Sequence, residues 1–281
     1  ALAAFDAGAD AVYCGLRKFN ARERSENFTT AELEKTIAYA HRNSRRVYVT
    51  FNTLLREAEL PEAAAELAKL AFCAPDALIV QDLGVLRILR EYFPDLPVHA
   101  STQMGFHNSA GLEVAVSLGI RRVILERQVT LEEIRAMRSV SKGKLPVELE
   151  VFVHGALCCC LSGSCLFSSW LGGWSGNRGK CKQPCRRQYF RDEDVRRSRG
   201  EFLFSPDDLS ALELLDSFRE AGVVSFKIEG RLRRADYVEK VVRAYRTVLD
   251  AAPEHRSDAL NEASDILRGV CARKPSFGFY T

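Results

Sequence analysis

Six of the nine cysteines lie within residues 150–187, where local composition departs furthest from that of an ordinary globular protein. Cys158 and Cys165 are followed by Cys181 and Cys185, with glycines and serines in the intervals. Thiolate sulfur is a soft ligand, and four such ligands suit either zinc or an iron–sulfur cluster. The spacing therefore allows four thiols to converge on one metal centre.

The spacing favours an iron–sulfur cluster over zinc but leaves both open. Structural zinc sites prefer two pairs with about two to four intervening residues, and only Cys181 and Cys185 form such a pair. Cluster-binding loops are irregular and glycine-rich because backbone N–H groups approach the sulfides, which suits residues 161–165 and 172–181. Buried free thiols can account for Cys14, Cys73, Cys159 and Cys160, but hardly for four more in one loop.

The same region is locally basic, although the formal net charge of the chain is only +3. Residues 178–199 hold nine arginines and lysines against three acidic residues. Such a run is either a solvated loop or a surface that contacts phosphate. In the second case Arg178 is a candidate for binding RNA phosphate.

Composition sets the remaining bounds. The chain has 281 residues and is 47% hydrophobic, which suffices for one large core. No run of eighteen apolar residues is present, so no membrane span is expected. The clustered, odd number of cysteines and the lack of a signal segment favour the cytoplasm. The start at Ala1, inside a helical pattern, predicts a fragment that lacks its native start.

Short apolar runs alternate with amphipathic segments along most of the chain, which predicts an α/β protein. The predicted strands are residues 10–15, 46–52, 77–82, 98–103, 122–127, 147–154 and 223–229. The predicted helices are residues 30–43, 61–72, 83–93, 109–118, 131–140, 206–221 and 233–251.

Seven such units predict a (β/α)8 TIM-like barrel with its first strand missing and a Cys-rich insertion after the penultimate strand. A doubly wound open sheet is the alternative, since periodicity does not reveal closure. The predicted organisation is a barrel over residues 1–157 and 205–252, a cluster-binding insertion over 158–204 and a C-terminal extension over 253–281.

Alternation places a set of polar side chains on one face of the strands. In a barrel that face lines the lumen, and the active site lies at the C-terminal strand ends. Glu150, His154 and Glu229 are candidates for proton transfer, because a carboxylate or an imidazole works near neutral pH. The alternative is a satisfied network of buried polar groups. The candidates for substrate binding are Asn52, His99, Gln103, Lys227 and Arg231.

Three motifs match the signature of a known family. They are Glu150-x-Phe152-x-His154-Gly155-Ala156-x-Cys158, Ser162-Gly163-x-Cys165-x-x-Ser168 and Asn177-Arg178-Gly179-x-Cys181-x-Gln183-Pro184-Cys185-Arg186. AGADAVYCG, VTFNTL, HASTQ and FKIEGR extend the match along nearly the whole chain. The sequence therefore resembles the collagenase-like peptidase family U32.

The resemblance implies an enzyme other than a peptidase. Several members of that family are similar to oxygen-independent hydroxylases that carry a [4Fe-4S] cluster on four cysteines. These act on pyrimidines of transfer or ribosomal RNA, or on the ubiquinone ring, and the RNA-acting ones are linked to prephenate as oxygen donor. The segment SGNRGKCKQPCR is most similar to the branch that hydroxylates a ribosomal RNA cytidine. By motif position, the implied cluster ligands are Cys158, Cys165, Cys181 and Cys185.

The expected function is thus hydroxylation of a pyrimidine base in RNA, with RNA and a small carboxylate donor as partners. For the donor, Lys227 and Arg231 share one strand face, and paired cations favour carboxylate recognition. A peptidase is the alternative, although the sequence shows no HExxH or GxSxG motif. A metal-assisted version would use His99, His154 and Glu229. A non-enzymatic RNA-binding or assembly module with a structural metal site is a second alternative.

Overall fold

The computed structural model describes residues 1–23, 25–140, 146–190, 200–230 and 233–281. The strands are β1 (Ala11–Gly15), β2 (Arg46–Phe51), β3 (Ala77–Val80), β4 (Val98–Ala100), β5 (Arg122–Ile124), β6 (Glu148–Ala156), β7 (Asp208–Ser210), β8 (Val223–Ile228) and β9 (Pro275–Ser276). The α-helices are α1 (Leu2–Asp6), α2 (Thr30–Arg42), α3 (Leu60–Cys73), α4 (Leu83–Tyr92), α5 (Ser109–Ser117), α6 (Leu131–Val140), α7 (Phe167–Trp170), α8 (Leu215–Glu220), α9 (Ala235–Asp250) and α10 (Arg256–Leu267).

One mostly parallel sheet organises the chain. Its parallel strands follow the order β1-β2-β3-β4-β5-β6-β8, with helices in the connections. All seven strands expected from the sequence are present, and in β2 to β6 most of their apolar side chains are buried. The α/β class is confirmed.

The TIM-like barrel is not confirmed, because the sheet is not closed. Among the described residues, no ladder of backbone hydrogen bonds joins β1 to β8. The two edges are nevertheless close, since Tyr13 Oη donates to the Ile228 carbonyl at 3.3 Å. A cavity of about 1150 Å³ opens between them. The sheet is therefore curled but open.

Helix starts follow from local capping. The Thr29 hydroxyl accepts a hydrogen bond from the backbone N–H of Glu32, and the Glu32 carboxylate accepts one from the backbone N–H of Thr29. These two bonds form a capping box before α2. Asp82 caps α4 through the N–H of Val85. The helices then bury an apolar stripe against the sheet, and no described helix is long and apolar enough to cross a membrane.

Residues 206–221 differ from the predicted helix. Within this range α8 is the one α-helix, whereas Asp208–Ser210 forms the strand β7. This strand pairs antiparallel with the C-terminal residues of β6. The reason lies in the length of β6: β5 pairs with it only as far as Glu150. The remaining edge needs backbone partners, which β7 supplies. Asp208 is buried there and pairs with Arg273.

The C-terminal residues 253–281 pack onto the sheet despite their weak sequence pattern. The helix α10 lies against α9. Tyr280 donates to the Phe152 carbonyl at 2.7 Å, and its ring lies 4.7 Å from that of Phe218. This segment is thus part of the packed core.

Candidate functional site

Neighbouring strands β5, β6 and β8 place a set of buried charges on one face of the sheet. Glu150 accepts from Lys227 Nζ at 2.8 Å, from Arg122 Nη1 at 3.2 Å and from Ser225 Oγ at 2.8 Å. Arg122 also pairs with Glu148 at 2.6 Å. We call these five residues the inner charge cluster; its two cations and two carboxylates have no net formal charge.

The inner charge cluster keeps Glu150 ionised. Burial raises the pKa of Glu150, but Lys227 and then Arg122 lower it more strongly and hold it at about 2. Both carboxylate oxygens are occupied by donors. Glu150 is therefore a poor general base, although the sequence made it a candidate for proton transfer.

His99 lies beside this cluster as a neutral imidazole. It is 3% exposed, and its ring packs edge-on at 4.9 Å from Tyr48. Burial, and then the charge of Arg122, lowers the pKa of His99 to about 3. Its Nδ1 has no hydrogen-bond partner within the described part of the chain.

A second charged group lies at the C-terminal ends of β1, β5 and β8. Glu229 Oε2 lies 3.3 Å from Tyr13 Oη, 3.7 Å from Arg22 Nη2 and 3.9 Å from Arg127 Nη2. The Arg127 guanidinium stacks 3.9 Å above the ring of Phe152. We call Tyr13, Arg22, Arg127 and Glu229 the mouth cluster; it has one more cation than carboxylates.

Glu126 fastens the Cys-rich segment to the mouth. This buried carboxylate accepts from the backbone N–H of Ser162 at 2.9 Å and from Thr102 Oγ1 at 3.2 Å. Gly163, at φ +83°, lies so close that a Cβ there would be 2.0 Å from the Gln103 carbonyl oxygen. Only glycine fits this contact, so the start of the segment is held in one position.

Arg178 fastens the second half of the segment. It pairs bidentately with Glu59, at 2.6 and 3.0 Å, and donates to the Leu54 carbonyl. The hydrogen bond from Arg178 is the largest of the causes that lower the pKa of Glu59 to about 2. Arg178 is thus engaged inside the protein, whereas the sequence made it a candidate for RNA phosphate.

The cysteines of the two halves meet beside the mouth. Cys159 lies 3.9 Å from Cys160 and within hydrogen-bonding reach of Cys185, while Cys160 is within reach of Cys165. Among the described residues, no three of these or other ligand side chains have an arrangement that could hold a metal ion. The segment brings the thiols together without forming a finished site.

Two of these thiols, Cys159 and Cys160, are protonated in this arrangement. Burial, and then the neighbouring Cys185, raises the pKa of Cys159 to about 11. Burial, and then Cys165, raises the pKa of Cys160 to about 12. The sulfur of Cys181 accepts from the backbone N–H of Gln183 at 3.3 Å, a contact that also suits a thiolate. Metal binding here would release protons.

Arg22 links the thiols to the mouth cluster. Its charge interacts with Glu229 most strongly and, more weakly, with Cys181 and Cys158. Asn52 positions this stretch by accepting from the Ala21 N–H at 3.0 Å. Gln103 also lies at this end of the sheet, next to the Gly163 contact, and its Oε1 is buried without a hydrogen-bond partner among the described residues.

The His154 side chain contacts neither Glu150 nor Glu229 but other residues, contrary to the prediction that all three side chains share one face, although the Glu229 N–H donates to the His154 carbonyl at 2.9 Å. Its Nδ1 is 3.4 Å from Tyr245 Oη on α9, and its Nε2 is 3.8 Å from Cys271 Sγ. The β6–β8 register shifts between Phe152 and His154, and such a bulge breaks the alternation of side chains. Burial lowers the pKa of His154 to about 4.

Arg231 lies outside the described residues, so the predicted pair with Lys227 is not seen. Lys227 is turned toward Glu150. Arg22 and Arg127 were missed: Arg22 lies in a loop without periodic signal, whereas Arg127 is the last residue of a predicted strand.

Residues 1–281 match the family model described as Peptidase family U32. The chain belongs to this family. It is 40% identical over 285 residues to the "Uncharacterized protease MJ0090" of Methanocaldococcus jannaschii, covering 99% of this chain and 69% of that protein. It is 36% identical over 259 residues to the 23S rRNA 5-hydroxycytidine C2501 synthase of Escherichia coli, covering 92% of this chain and 38% of that protein.

It is also 30% identical over 298 residues to the tRNA hydroxylation protein P of Escherichia coli, covering 89% of this chain and 65% of that protein. The chain thus spans well under half of the ribosomal RNA synthase and about two thirds of the other two relatives. Among solved structures, the U32 peptidase Mk0906 superposes with a TM-score of 0.52 at 16% identity, over 80% of this chain and 86% of that one. That likeness concerns the fold alone.

Proposed function

We propose that the protein is an RNA-modifying enzyme of the U32 family that hydroxylates a pyrimidine base without molecular oxygen. A cytidine of ribosomal RNA is the first candidate substrate. The observation that carries this proposal is the meeting of six cysteines beside a cationic mouth that also holds a carboxylate. The names of two relatives, a ribosomal RNA hydroxycytidine synthase and a transfer RNA hydroxylation protein, support it.

The proposed cofactor is a [4Fe-4S] cluster on Cys158, Cys165, Cys181 and Cys185. The donor set fits because it is all thiol, and because the Gln183 N–H is directed at the Cys181 sulfur. When bound, such a cluster would supply one-electron chemistry. The anchors at Glu126 and Arg178 would hold the two halves of the ligand set at the mouth.

The mouth cluster is the proposed site for a small carboxylate donor such as prephenate. Arg22 and Arg127 share one carboxylate, so an incoming anion would complete their neutralisation. The Arg127 guanidinium carbon lies 3.9 Å from the centroid of the Phe152 ring, and this contact would position its donors before the ligand arrives. Lys227 is less suited, because Glu150 already neutralises it.

Glu229 is the proposed proton carrier. It is the only one of the three predicted candidates that lies in the mouth cluster, beside the thiols and 3.3 Å from the Tyr13 hydroxyl. A carboxylate in that position can accept a proton and exchange it with the phenol. Glu150 is neutralised by two cations, and His154 lies in another cluster.

We further propose that the curled sheet is an incomplete (β/α) barrel. The edges of β1 and β8 approach closely enough for side-chain contacts, with the cavity between them. One more parallel strand in this gap would give eight, the number in a TIM-type barrel. An RNA substrate would also place the protein in the cytoplasm.

A peptidase is less well supported. His99, His154 and Glu229, the residues expected for a metal-assisted peptidase, lie in three different groups of contacts. The pair Cys271 and His154 has the geometry of a dyad, but burial raises the pKa of the thiol and lowers that of the imidazole. The thiol therefore stays protonated and is a weak nucleophile.

The test compares RNA from cells with and without the gene. We expect mass spectrometry of nucleosides from ribosomal and transfer RNA to show one hydroxylated pyrimidine that disappears with the gene. Expression of the wild type should restore it, and Cys181→Ser should not. Unchanged RNA in both pools, together with cleavage of peptides by the anaerobically purified protein, would refute the proposal in favour of a peptidase.

A further inference from the structure

The chain has two tryptophans, and both lie on the surface of the Cys-rich segment. Trp170 ends α7 and is 80% exposed. Trp174 is 36% exposed, and Lys182 Nζ lies 4.0 Å from its ring centroid. We call these three residues the indole platform. Leu166 and Leu171 beside it are about half exposed, so the apolar surface is continuous along the chain.

Backbone conformation and a buried hydrogen bond hold the indole platform in position. Gly172 and Gly173, at φ +118° and +73°, reverse the chain between the two indoles in a conformation that favours glycine. The backbone N–H of Lys182 donates to the buried Oγ of Ser168 at 3.0 Å, which ties the cation to α7. The rings are thus presented without a large loss of chain entropy on binding.

The segment that carries the platform has side-chain charge of one sign, although Glu59 and Glu23 from other parts of the chain pair with its Arg178 and Lys180. Residues 151–190 contain five cationic side chains and no carboxylate. Arg178 and Arg186 are used in contacts inside the protein. Lys182 of the platform and the exposed Arg187 remain for a partner. The surface therefore combines flat aromatic faces with positive charge.

We propose that the indole platform binds unpaired RNA, with nucleobases stacked on Trp170 and Trp174 and phosphates held by Lys182 and its cationic neighbours. The inference rests on the proposed function and specifies how the substrate is held. Aromatic rings interleaved with cations are the common solution for single-stranded nucleic acid. A second copy of this chain fits less well, because it would bring two positive surfaces together.

The position of the platform relates it to the thiols. Lys182 directly follows Cys181 in the chain. A Cβ built on Gly176, two residues after Trp174, would lie 3.6 Å from Cys181 Cβ. The chain that carries the indoles therefore passes against the cysteine group. A base stacked on Trp174 would hold a neighbouring nucleotide near the mouth cluster.

Tryptophan emission tests this inference directly, because the chain has no tryptophan outside the platform. Purified protein is titrated with a short single-stranded oligocytidylate and, separately, with the same strand in a duplex. We expect saturable quenching by the single strand, weaker at high salt, and little quenching by the duplex. Trp170→Ala should weaken binding by roughly fivefold or more, and Trp170→Phe much less.

The matched control is Phe72→Ala, which removes an aromatic ring that is 86% exposed on α3. It should leave binding unchanged, and circular dichroism should show all variants folded. RNA binding without a change in tryptophan emission would overturn the inference. So would a dimer, measured by sedimentation, that Trp170→Ala dissociates.

The inference and the proposed function can fail separately. If the gene deletion leaves cellular RNA unchanged but the purified protein still shows platform-dependent quenching, the proposed function fails and the platform stands. If the deletion removes a hydroxylated base and Trp170→Ala restores it with unchanged RNA affinity, the platform fails and the proposed function stands.

Discussion

Two groups of charged side chains line one face of the sheet, and they differ in how completely they are neutralised. In the inner charge cluster, Glu150 is buried and each charge has an opposite partner. In the mouth cluster, Arg22 and Arg127 share the single carboxylate of Glu229, and their side chains are 30% and 11% exposed. The difference indicates that the inner group maintains the structure, whereas the mouth is arranged for an anion that arrives from outside.

The largest expected effect is loss of stability in the inner cluster. Glu150→Ala leaves Lys227 and Arg122 without their shared carboxylate in a buried site. We expect the free energy of unfolding to fall by about 3–5 kcal/mol, measured by urea denaturation. Glu229→Ala, at the more open mouth, should cost much less. Equal losses in the two variants would remove the distinction between the clusters.

The pH dependence of stability should come from two buried imidazoles, His99 beside the inner charge cluster and His154 beside α9. The pKa of His154 is about 4 in the folded state, below its ordinary value of about 6.5. The unfolded chain therefore binds the proton more tightly, and stability falls as pH drops from about 6.5 toward 4. The contribution at neutral pH is up to about 3 kcal/mol.

The urea midpoint measured from pH 8 to pH 4 checks this expectation. His154→Gln should make the profile less steep in that window, with buried His99 responsible for the remaining slope, whereas His41→Gln, on an exposed imidazole, should not. A wild-type profile that is flat between pH 6.5 and 4 would contradict the assignment of a neutral, buried His154.

At the mouth, the expected effect is on activity. Glu229→Gln keeps the shape of the side chain but removes its basicity, so hydroxylation should slow by about a hundredfold. The free energy of unfolding should change little. Single-turnover hydroxylation of an RNA substrate measures the rate, with Glu213→Gln as a control outside the mouth cluster. A hundredfold loss in both variants would contradict a proton-transfer role for Glu229.

The smallest expected effect concerns the donor. Arg127→Lys keeps the charge but loses the flat contact with Phe152 and the bidentate geometry. The KM for a carboxylate donor should rise by about tenfold, with a smaller change in kcat. Arg219→Lys, on an exposed arginine of α8, serves as control. An unchanged KM would show that the donor binds elsewhere.

The sequence predicted the sheet well and the site only in part. Every parallel strand was found, because buried apolar runs have a strong periodic signal. The bulge beside His154 was invisible, since a register shift depends on pairing with β8 and not on local residue type. The strand β7 was missed for a similar reason: it exists because β6 extends beyond β5.

The site residues also fall into two groups, those placed by strand alternation and those placed by tertiary contacts. Lys227 and Glu150 were placed on one face by simple alternation, and they are in contact. Arg22 belongs to the mouth cluster because its loop is held by the hydrogen bond from the Ala21 N–H to Asn52, a tertiary contact that the local sequence does not reveal. Arg178 was a candidate ligand for phosphate because of its local charge. Its pairing with Glu59, far away in sequence, could not be anticipated.

The open edges of β1 and β8 have a consequence for handling the protein. Among the described residues, the backbone groups along these edges are not joined to one another by a ladder. Exposed strand edges are templates for pairing between molecules, which leads to association and precipitation. We therefore expect recovery of the folded chain after dilution from denaturant to fall steeply with protein concentration, as light scattering would record.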